Sequence, residues 1–161
     1  MKAGQADVIV VGAGHAGVEA AMAASRLGYE VIIFAMDLAS IANLPCNPSI
    51  GGTAKGQLVR EIDAMGGLMG KAADANGLQF RMLNRSKGPA VHSPRAQVDR
   101  PSYEAYVRTC LERAPGVRMR QEEVVDLYFE HDKLAGVITA LGAKYLAPRV
   151  VIATGTYLSA R

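Results

Sequence analysis

The chain has 161 residues, of which 50% are apolar and 20% charged, and this composition indicates a globular protein with a core rather than a disordered segment. Its formal net charge of +3 is too small to indicate nucleic-acid binding by itself. No run approaches the ~20 apolar residues that a membrane helix needs, and no signal-peptide pattern opens the sequence, so we expect a cytoplasmic protein without a membrane span.

The first part of the chain predicts a βαβ unit. Residues 7–11 are a short apolar run with β-branched side chains, typical of a strand that is buried on both faces of a parallel sheet. An alanine-rich helix is predicted from about Ala13 to Leu27, where Gly28 ends it, and a second buried strand is predicted over residues 30–34. The three elements together have the length of one βαβ unit.

A glycine-rich turn joins the first strand to the helix. Its sequence is Gly12-Ala13-Gly14-His15-Ala16-Gly17. Gly12 permits the tight turn, Gly14 lets a pyrophosphate approach the backbone, and Gly17 lets the helix lie close to the sheet. The N–H groups and the positive end of the helix dipole then face the phosphates. The turn therefore predicts dinucleotide binding, in which the backbone of His15 rather than its imidazole takes part.

One element of the dinucleotide fingerprint is missing. An acidic residue normally ends the second strand and holds the ribose hydroxyls, but that position is Ala35 and the nearest carboxylate belongs to Asp37. Either Asp37 reaches back or the ribose is held in another way. The missing acid weakens the case for NAD at this turn more than the case for FAD, because a buried FAD has many other contacts.

Residues 36–100 interrupt the alternation of strands and helices. They are dense in glycine and proline, and one helix is predicted among them, from about Lys55 to Met65. A connection of this length is uncommon unless it shapes a functional site, so we expect an active-site excursion. A further helix is predicted from about Ser102 to Arg113, with Cys110 on its apolar face.

The last part of the chain predicts mainly strands. Residues 117–120 are expected to form a third parallel strand, residues 123–147 an antiparallel β-meander, and residues 149–155 another buried strand that ends in a turn. The fold class that these elements indicate is α/β, a parallel sheet with an antiparallel meander.

Cys46 stands between two prolines, just ahead of the helix predicted at Lys55. Prolines fix the backbone, and a position before a helix favours the reactive thiolate. The usual alternative for a free cysteine is a small buried apolar residue, which suits Cys110 but not Cys46, since Cys46 belongs to no apolar pattern. From the residues alone, a functional role and a structural role for Cys46 remain equally open. The spacing of the two cysteines predicts neither a disulfide framework nor a metal site.

Three longer motifs resemble one family. They are residues 7–21 around the turn, residues 46–56 with Cys-Asn-Pro-Ser-Ile-Gly-Gly and a following Lys-Gly, and residues 86–100 with Ser-Lys-Gly-Pro-Ala-Val and Arg-Ala-Gln-Val-Asp-Arg. They are similar to motifs of the glucose-inhibited division protein A family, the tRNA uridine 5-carboxymethylaminomethyl modification enzymes. Their order and spacing agree with the family over the entire chain.

The resemblance implies a Rossmann-like FAD-binding domain of the glutathione-reductase type, incomplete at its C-terminus, of which residues 1–161 are the N-terminal part. It implies an enzyme that uses FAD, NADH and methylene-tetrahydrofolate and that works with a GTPase partner. The reaction adds a carboxymethylaminomethyl-type group at the 5-position of the wobble uridine of tRNA. Full-length members are expected to be homodimers.

The resemblance also assigns site residues. It carries the FAD-binding turn onto Gly12 to Gly17 and an adenine-side backbone contact onto Val124. It carries an active-site thiol onto Cys46, which would attack the uracil ring or support the flavin.

The positive charge of the chain is concentrated between residues 81 and 100. Five basic residues and one acidic residue give this segment a charge of +4: Arg81, Arg85, Lys87, Arg95, Arg100 and Asp99. The segment is either a solvated face or a surface that contacts the phosphates of flavin or tRNA.

Members of the family are several times longer than this chain, so we expect this part alone to lack modification activity and to bind FAD weakly. Two other functions are considered. One is a folate-dependent tRNA uracil methyltransferase flavoprotein, which has a similar opening turn but is disfavoured by the Cys46 loop and by the missing acid at Ala35. The other is a non-catalytic nucleotide-binding or oligomerisation module.

Overall fold

The computed structural model describes residues 2–46 and 49–158. Within them the strands are β1 (Lys2–Gln5), β2 (Val8–Val11), β3 (Val31–Ala35), β4 (Ile50–Gly51), β5 (Gly77–Leu83), β6 (Ser93–Val98), β7 (Val117–Gln121), β8 (Val124–Glu130), β9 (Lys133–Thr139), β10 (Lys144–Leu146) and β11 (Val150–Ile152). The helices are α1 (His15–Arg26), α2 (Lys55–Ala64), α3 (Met69–Ala75) and α4 (Arg100–Arg113), with short 3₁₀ turns at Leu38–Ser40 and Pro89–Val91. The described residues divide between two compact units, the first from Met1–Ala42 with Arg108–Arg161 and the second from Asn43–Val107.

A four-stranded parallel sheet forms the centre of the first unit, in the order β11-β2-β3-β7. Ile9, Val10, Ile32 and Ile33 are at most 1% exposed, because the apolar runs of β2 and β3 are covered on both faces. The predicted βαβ unit is therefore confirmed. Helix α1 begins at His15, two residues later than the sequence predicts.

A second sheet of the first unit has the order β1-β10-β9-β8. Strands β8, β9 and β10 pair antiparallel, and β1 lies parallel to β10 at the edge. The two sheets share a core cluster that includes Ile9, Ile32, Phe34, Val137 and Tyr145. The rings of Phe34 and Tyr145 meet edge to face, with their centroids 4.9 Å apart. The architecture is thus the α/β class expected from the sequence, a parallel sheet combined with antiparallel strands.

The second unit contains a three-stranded antiparallel sheet, in the order β4-β6-β5, together with α2 and α3. Gly51 has a φ of +100°, and a Cβ on Gly56 would lie 2.8 Å from Cδ of Pro94. Glycine at these two positions therefore lets β4 and α2 pack closely on β6. The helix predicted near Lys55 is confirmed as α2, whereas the sequence does not predict β5, β6 or α3.

Helix α4 begins at Arg100, two residues before the predicted start. The carboxylate of Asp99 accepts a hydrogen bond from the Ser102 N–H at 2.9 Å and caps the helix. Hydrogen bonds from Ser102 lower the pKa of Asp99 below its ordinary value. The side chains of the predicted apolar face are buried at Tyr103, Val107 and Leu111 and half-buried at Cys110.

Candidate functional site

The glycine-rich turn lies at the carboxyl ends of the parallel strands, where α/β proteins bind their ligands. The Gly12 N–H donates to the Phe34 carbonyl at 2.9 Å, and the Ala153 N–H donates to the Val11 carbonyl at 2.8 Å. These bonds join the turn to the end of β3 on one side and to the residue after β11 on the other. The structure therefore brings residues Gly12 to Gly17 together in the place that the motif predicts.

The three glycines of the turn differ in the space that a side chain would have at each position. Gly12 has a φ of +104°, and a Cβ there would lie 2.8 Å from the carbonyl carbon of Ala153. A Cβ on Gly17 would overlap the carbonyl oxygen of Gly12, so glycine is required for α1 to lie against the turn. Gly14 has an ordinary extended backbone, and a Cβ there would meet no protein atom within 4 Å. Of the three positions, Gly14 faces open space, as expected where a ligand approaches the backbone.

The amino-terminal end of α1 has the properties of an anion-binding site. Its N-cap residue is Gly14, which has no side chain to accept a hydrogen bond, and its first turn contains no acidic residue. The Val18 N–H donates to the Gly14 carbonyl at 2.9 Å and starts the helical pattern. The N–H groups before Val18 carry the positive end of the helix dipole, which stabilises a bound phosphate.

His15 is half-buried in this turn rather than fully solvated. Burial lowers the pKa of its imidazole below the ordinary value, and the carboxylate of Glu19 opposes that shift. The imidazole is therefore neutral at neutral pH. The ring therefore adds no positive charge to the turn at neutral pH, and the backbone of His15 as the contact to an anionic ligand stays a prediction.

Asp37 follows the end of β3 and caps a short 3₁₀ turn. Its Oδ1 atom accepts a hydrogen bond from the Ala39 N–H at 2.8 Å. Ala35 is paired with Gln121 at the end of β7, and Oε1 of Gln121 accepts from the Leu38 N–H at 3.4 Å. Gln121 is a polar residue of this region that the sequence reasoning missed. Its place at the end of the third parallel strand was the available signal.

Val124 lies in the same unit as the turn. It opens β8, where its partner across the strand pair is Thr139, and it packs half-buried against the core cluster that contains Phe34. Its backbone is thus fixed by a strand pair and its side chain by the core, which suits a residue that would contact a ligand through the backbone.

Cys46 belongs to the second unit and its side chain is exposed. The Nζ atom of Lys55 lies 3.8 Å from its sulfur, and Nη2 of Arg100 donates to its carbonyl oxygen at 3.0 Å. The next described residue is Ser49, whose N–H and hydroxyl both donate to Oε1 of Gln97, at 3.0 and 3.1 Å. Asn47 and Pro48 of the family motif lie outside the described residues. The thiol is therefore accessible and has the ammonium group of Lys55 as a neighbour, while Arg100 contacts the backbone of the same residue.

The basic segment over residues 81–100 has three of its arginines, Arg81, Arg85 and Arg95, around one pocket of the second unit. Arg81 and Arg95 face each other across β5 and β6, and Arg81 and Arg85 are exposed. Arg100 contacts the Cys46 carbonyl instead. The sequence leaves open whether the segment is a solvated face or contacts phosphates, and it does not predict the contact of Arg100 with the cysteine loop.

Residues 2–46 and 49–158 lack two other kinds of feature. This part of the chain contains no group of three or more His, Cys, Asp or Glu side chains placed to hold a metal ion. It contains no helix that is both long and apolar enough to cross a membrane.

Comparison with known proteins identifies a family. Residues 7–161 match the family described as Glucose inhibited division protein A. A curated relative from Caldicellulosiruptor saccharolyticus, named tRNA uridine 5-carboxymethylaminomethyl modification enzyme MnmG, is 58% identical over 159 residues. That alignment covers 99% of this chain and 25% of the relative.

Solved structures agree with this match. The structure of Aquifex aeolicus GidA in its form II crystal is 49% identical with a TM-score of 0.89, and the match covers 94% of this chain and 25% of that chain. The myxobacterial chondrochloren halogenase CndH, described as a variant of FAD-dependent halogenases, shares the fold at 21% identity and a TM-score of 0.65 over 98% of this chain and 39% of that one. The chain belongs to the glucose inhibited division protein A family, and it spans about a quarter of the length of the curated relative that it matches.

Proposed function

We propose that this chain is the FAD-binding part of a tRNA-modifying flavoenzyme that adds a carboxymethylaminomethyl-type group at the 5-position of the wobble uridine. The observation that carries the proposal is the open turn Gly12 to Gly17 at the start of α1, in a chain that belongs to this family. The name of the curated relative supports the reaction, and the shared fold of an FAD-dependent halogenase supports a flavin.

The turn fits the pyrophosphate of FAD. The open side at Gly14 gives a phosphate access to the backbone, and the N-terminus of α1 supplies N–H donors and a positive dipole. The backbone of Val124 would contact the adenine side. Gln121 lies at the end of β7 beside Ala35, and its side chain or that of Asp37 would hold the ribose. When bound, the flavin would supply the redox step of the reaction.

The excursion over residues 36–100 is proposed to form the active-site part, and the β-meander over residues 123–147 to belong to the same FAD-binding domain. Cys46 is the proposed active-site thiol. Its proposed role is either attack on the uracil ring or support of the flavin. The accessible sulfur and the ammonium group of Lys55 beside it support either one, because reactive thiols are found next to cationic side chains.

The other participants are proposed for the whole protein. They are NADH as reductant, methylene-tetrahydrofolate as the source of the one-carbon unit, tRNA as substrate, and a GTPase partner of a homodimeric enzyme. The family membership supports these proposals. They concern the whole protein because the relatives that match this chain are four times as long.

The methyltransferase alternative is disfavoured by the 58% identity to a relative named for the carboxymethylaminomethyl modification. A non-catalytic module would retain the fold but would not require FAD. Measuring FAD binding therefore distinguishes it from the proposed flavoenzyme.

A chimera tests the proposed function. The matching quarter of the Caldicellulosiruptor relative is replaced by this chain, and the modified nucleoside is measured by mass spectrometry of tRNA from cells that lack their own enzyme. We expect the chimera to restore 5-carboxymethylaminomethyluridine or its further-modified forms, and we expect Cys46→Ala and Gly14→Val to abolish it. A chimera that folds, binds FAD and produces 5-methyluridine instead would support the methyltransferase.

A further inference from the structure

Ala54, the residue before α2, has a backbone conformation that residues with a side chain rarely adopt. Its φ is +66° and its ψ is −47°. Across it, the Lys55 N–H donates a hydrogen bond to the Thr53 carbonyl at 2.9 Å. These angles and this bond define a γ-turn of the rare, strained form. A positive φ costs free energy at a residue that carries a Cβ, so the backbone of Ala54 is strained.

Ala54 is also a poor residue with which to begin a helix. It is the N-cap residue of α2, and its side chain accepts no hydrogen bond there. Serine, threonine, aspartate, asparagine and glycine are favoured at this position, whereas alanine is disfavoured. Two local preferences are therefore broken at one exposed residue. Positions of this kind are expected at functional sites, where strain contributes to pre-organisation.

The residues that follow Ala54 are fixed in place. The Gly56 N–H donates to the Gly52 carbonyl at 2.8 Å, and the Leu58 N–H donates to the Ala54 carbonyl at 3.2 Å. Gly56 is buried, and a Cβ on it would lie 2.8 Å from Cδ of Pro94 in β6. Because the first turn of α2 packs this closely on β6, it has no room to shift toward the sheet and relieve the strain.

The residues that precede the γ-turn are fixed as well. The Gly52 N–H donates to the Pro94 carbonyl at 2.9 Å, and two hydrogen bonds join Ser49 to a side chain of β6. Arg100, at the start of α4, donates to the Cys46 carbonyl at 3.0 Å. Strained backbone persists only where the surrounding structure over-determines it. Contacts on both sides of the γ-turn meet this requirement.

We propose that Ala54 is a positioning residue whose γ-turn directs Lys55 toward the thiol of Cys46. Lys55 is the first residue of α2, and its Nζ atom lies 3.8 Å from the sulfur. A negative φ at Ala54 would change the direction in which the chain enters α2, and the side chain of Lys55 would then leave the thiol. The inference rests on the proposed role of Cys46 as an active-site thiol, and it adds a residue that acts through Lys55.

Two alkylating reagents of similar size test the position of Lys55, because iodoacetate is an anion and iodoacetamide is neutral. A cation beside the sulfur favours the anionic reagent, whereas a change in exposure alters both rates alike. The ratio of the two rates at Cys46 is measured at low ionic strength by mass spectrometry, with Cys110 as the reference thiol. We expect Lys55→Met to lower this ratio about threefold or more.

Variants of Ala54 then test the turn. Proline cannot adopt a positive φ, so we expect Ala54→Pro to lower the ratio about as much as Lys55→Met does. Ala54→Val gives the same test if the proline variant does not fold, because a β-branched residue is also unfavourable at this φ. Ala54→Gly keeps the turn without its strain. We expect it to keep the ratio of the wild type and to raise the midpoint of thermal unfolding by about 2 °C or more.

The matched control is Asp132→Pro. Asp132 is exposed and has a φ of +61°, but it lies between β8 and β9 in the first unit. Proline creates the same backbone conflict there as at Ala54. We expect the control to lower the midpoint of unfolding and to leave the ratio at Cys46 unchanged, which separates the loss of Lys55 from a general loss of stability.

The proposal is overturned if Ala54→Pro and Ala54→Val keep the ratio of the wild type, if Ala54→Gly lowers the ratio, or if Ala54→Gly does not raise the unfolding midpoint. The measurement requires neither FAD nor tRNA. An unchanged ratio in Ala54→Pro would therefore contradict the positioning role alone. Failure of the chimera to modify tRNA, with the ratio behaving as expected, would contradict the proposed function alone.

Discussion

The Nζ atom of Lys55 lies 3.8 Å from the Sγ atom of Cys46, so the exposed thiol has an ammonium group as its neighbour. Arg100 donates to the carbonyl oxygen of the same cysteine at 3.0 Å. The side chain and the backbone of Cys46 therefore each contact a basic residue. This arrangement supports the proposal that Cys46 is an active-site thiol, because reactive cysteines are found in electropositive, accessible surroundings.

Removing the charge at Lys55 should slow the alkylation of the Cys46 thiol. We expect Lys55→Met to lower the rate of alkylation of Cys46 by iodoacetamide about three- to tenfold at neutral pH, since the thiolate loses its neighbouring cation. The rate is measured by mass spectrometry of the Cys46 peptide, with half-buried Cys110 as the reference in the same sample. The control is Lys71→Met, an exposed lysine on α3. Equal rates in the two variants would show that Lys55 does not activate the thiol.

Alanine substitutions at Gly14 and Gly17 should differ in their effect on the free energy of unfolding. Gly17→Ala places a methyl group against the Gly12 carbonyl oxygen, and we expect it to lower the free energy of unfolding by about 1–3 kcal/mol. Gly14→Ala adds the same group in open space at an ordinary φ, so its effect should be within about 0.5 kcal/mol. Urea unfolding followed by circular dichroism measures both. Similar losses in the two variants would contradict the packing found at Gly17.

Tyr145, whose ring packs against Phe34 in the core, also forms a side-chain hydrogen bond. Its hydroxyl donates to Oε1 of Glu122 at 2.5 Å, and burial together with this bond raises the pKa of Tyr145. We expect Tyr145→Phe to lower the free energy of unfolding by about 1–3 kcal/mol, because a half-buried carboxylate loses its donor. The matched control is Tyr128→Phe on β8, which keeps the ring that Lys144 covers at 4.0 Å. Unfolding midpoints that fall equally in both variants would exclude the hydrogen bond as the cause.

His15 predicts a dependence of stability on pH. The pKa of His15 in the folded state lies below its unfolded value of 6.5. When the pH falls to that range, the unfolded state therefore binds more protons than the folded state does. The free energy of unfolding of the wild type should then fall on acidification, relative to that of His15→Gln, by at most about 1.4 kcal/mol per pH unit. Denaturant titrations of the two proteins without FAD, between neutral pH and about pH 5, give the difference. A difference that does not change with pH would show that the folded imidazole is not shifted.

Local patterns predicted the part of the fold that surrounds the turn. The runs at β2 and β3 are short, β-branched and entirely buried, and glycine marks the turn between β2 and α1, so periodicity and turn chemistry agree. The helix start at His15 differs by two residues because Gly14 still has an extended backbone. Such boundaries depend on the cap, which the helical pattern does not specify.

The parts that the sequence did not predict depend on distant partners. The five-residue stretch from Gly77 to Arg81 in β5 is exposed, so no alternation of buried and exposed residues marks this strand, and it is defined only by its pairing with β6. The bond from Arg100 to the Cys46 carbonyl joins residues 54 positions apart. Gln121 reaches Leu38 across 83 positions. The partners in such contacts follow from the tertiary fold, and a single sequence carries no local signal for which of these residues pair.

The central claim is that the turn from Gly12 to Gly17 holds the pyrophosphate of FAD. It is tested by equilibrium dialysis of the chain against FAD, comparing wild type, Gly14→Val and Ala105→Val. Ala105 is the control, because it is exposed on α4 and lies outside the turn and outside residues 36–100. We predict weak FAD binding that Gly14→Val reduces about tenfold or more and that Ala105→Val leaves unchanged, since a β-branched side chain at Gly14 occupies the space of the phosphate. Equal FAD binding by wild type and Gly14→Val, or no FAD binding by either, would contradict the claim.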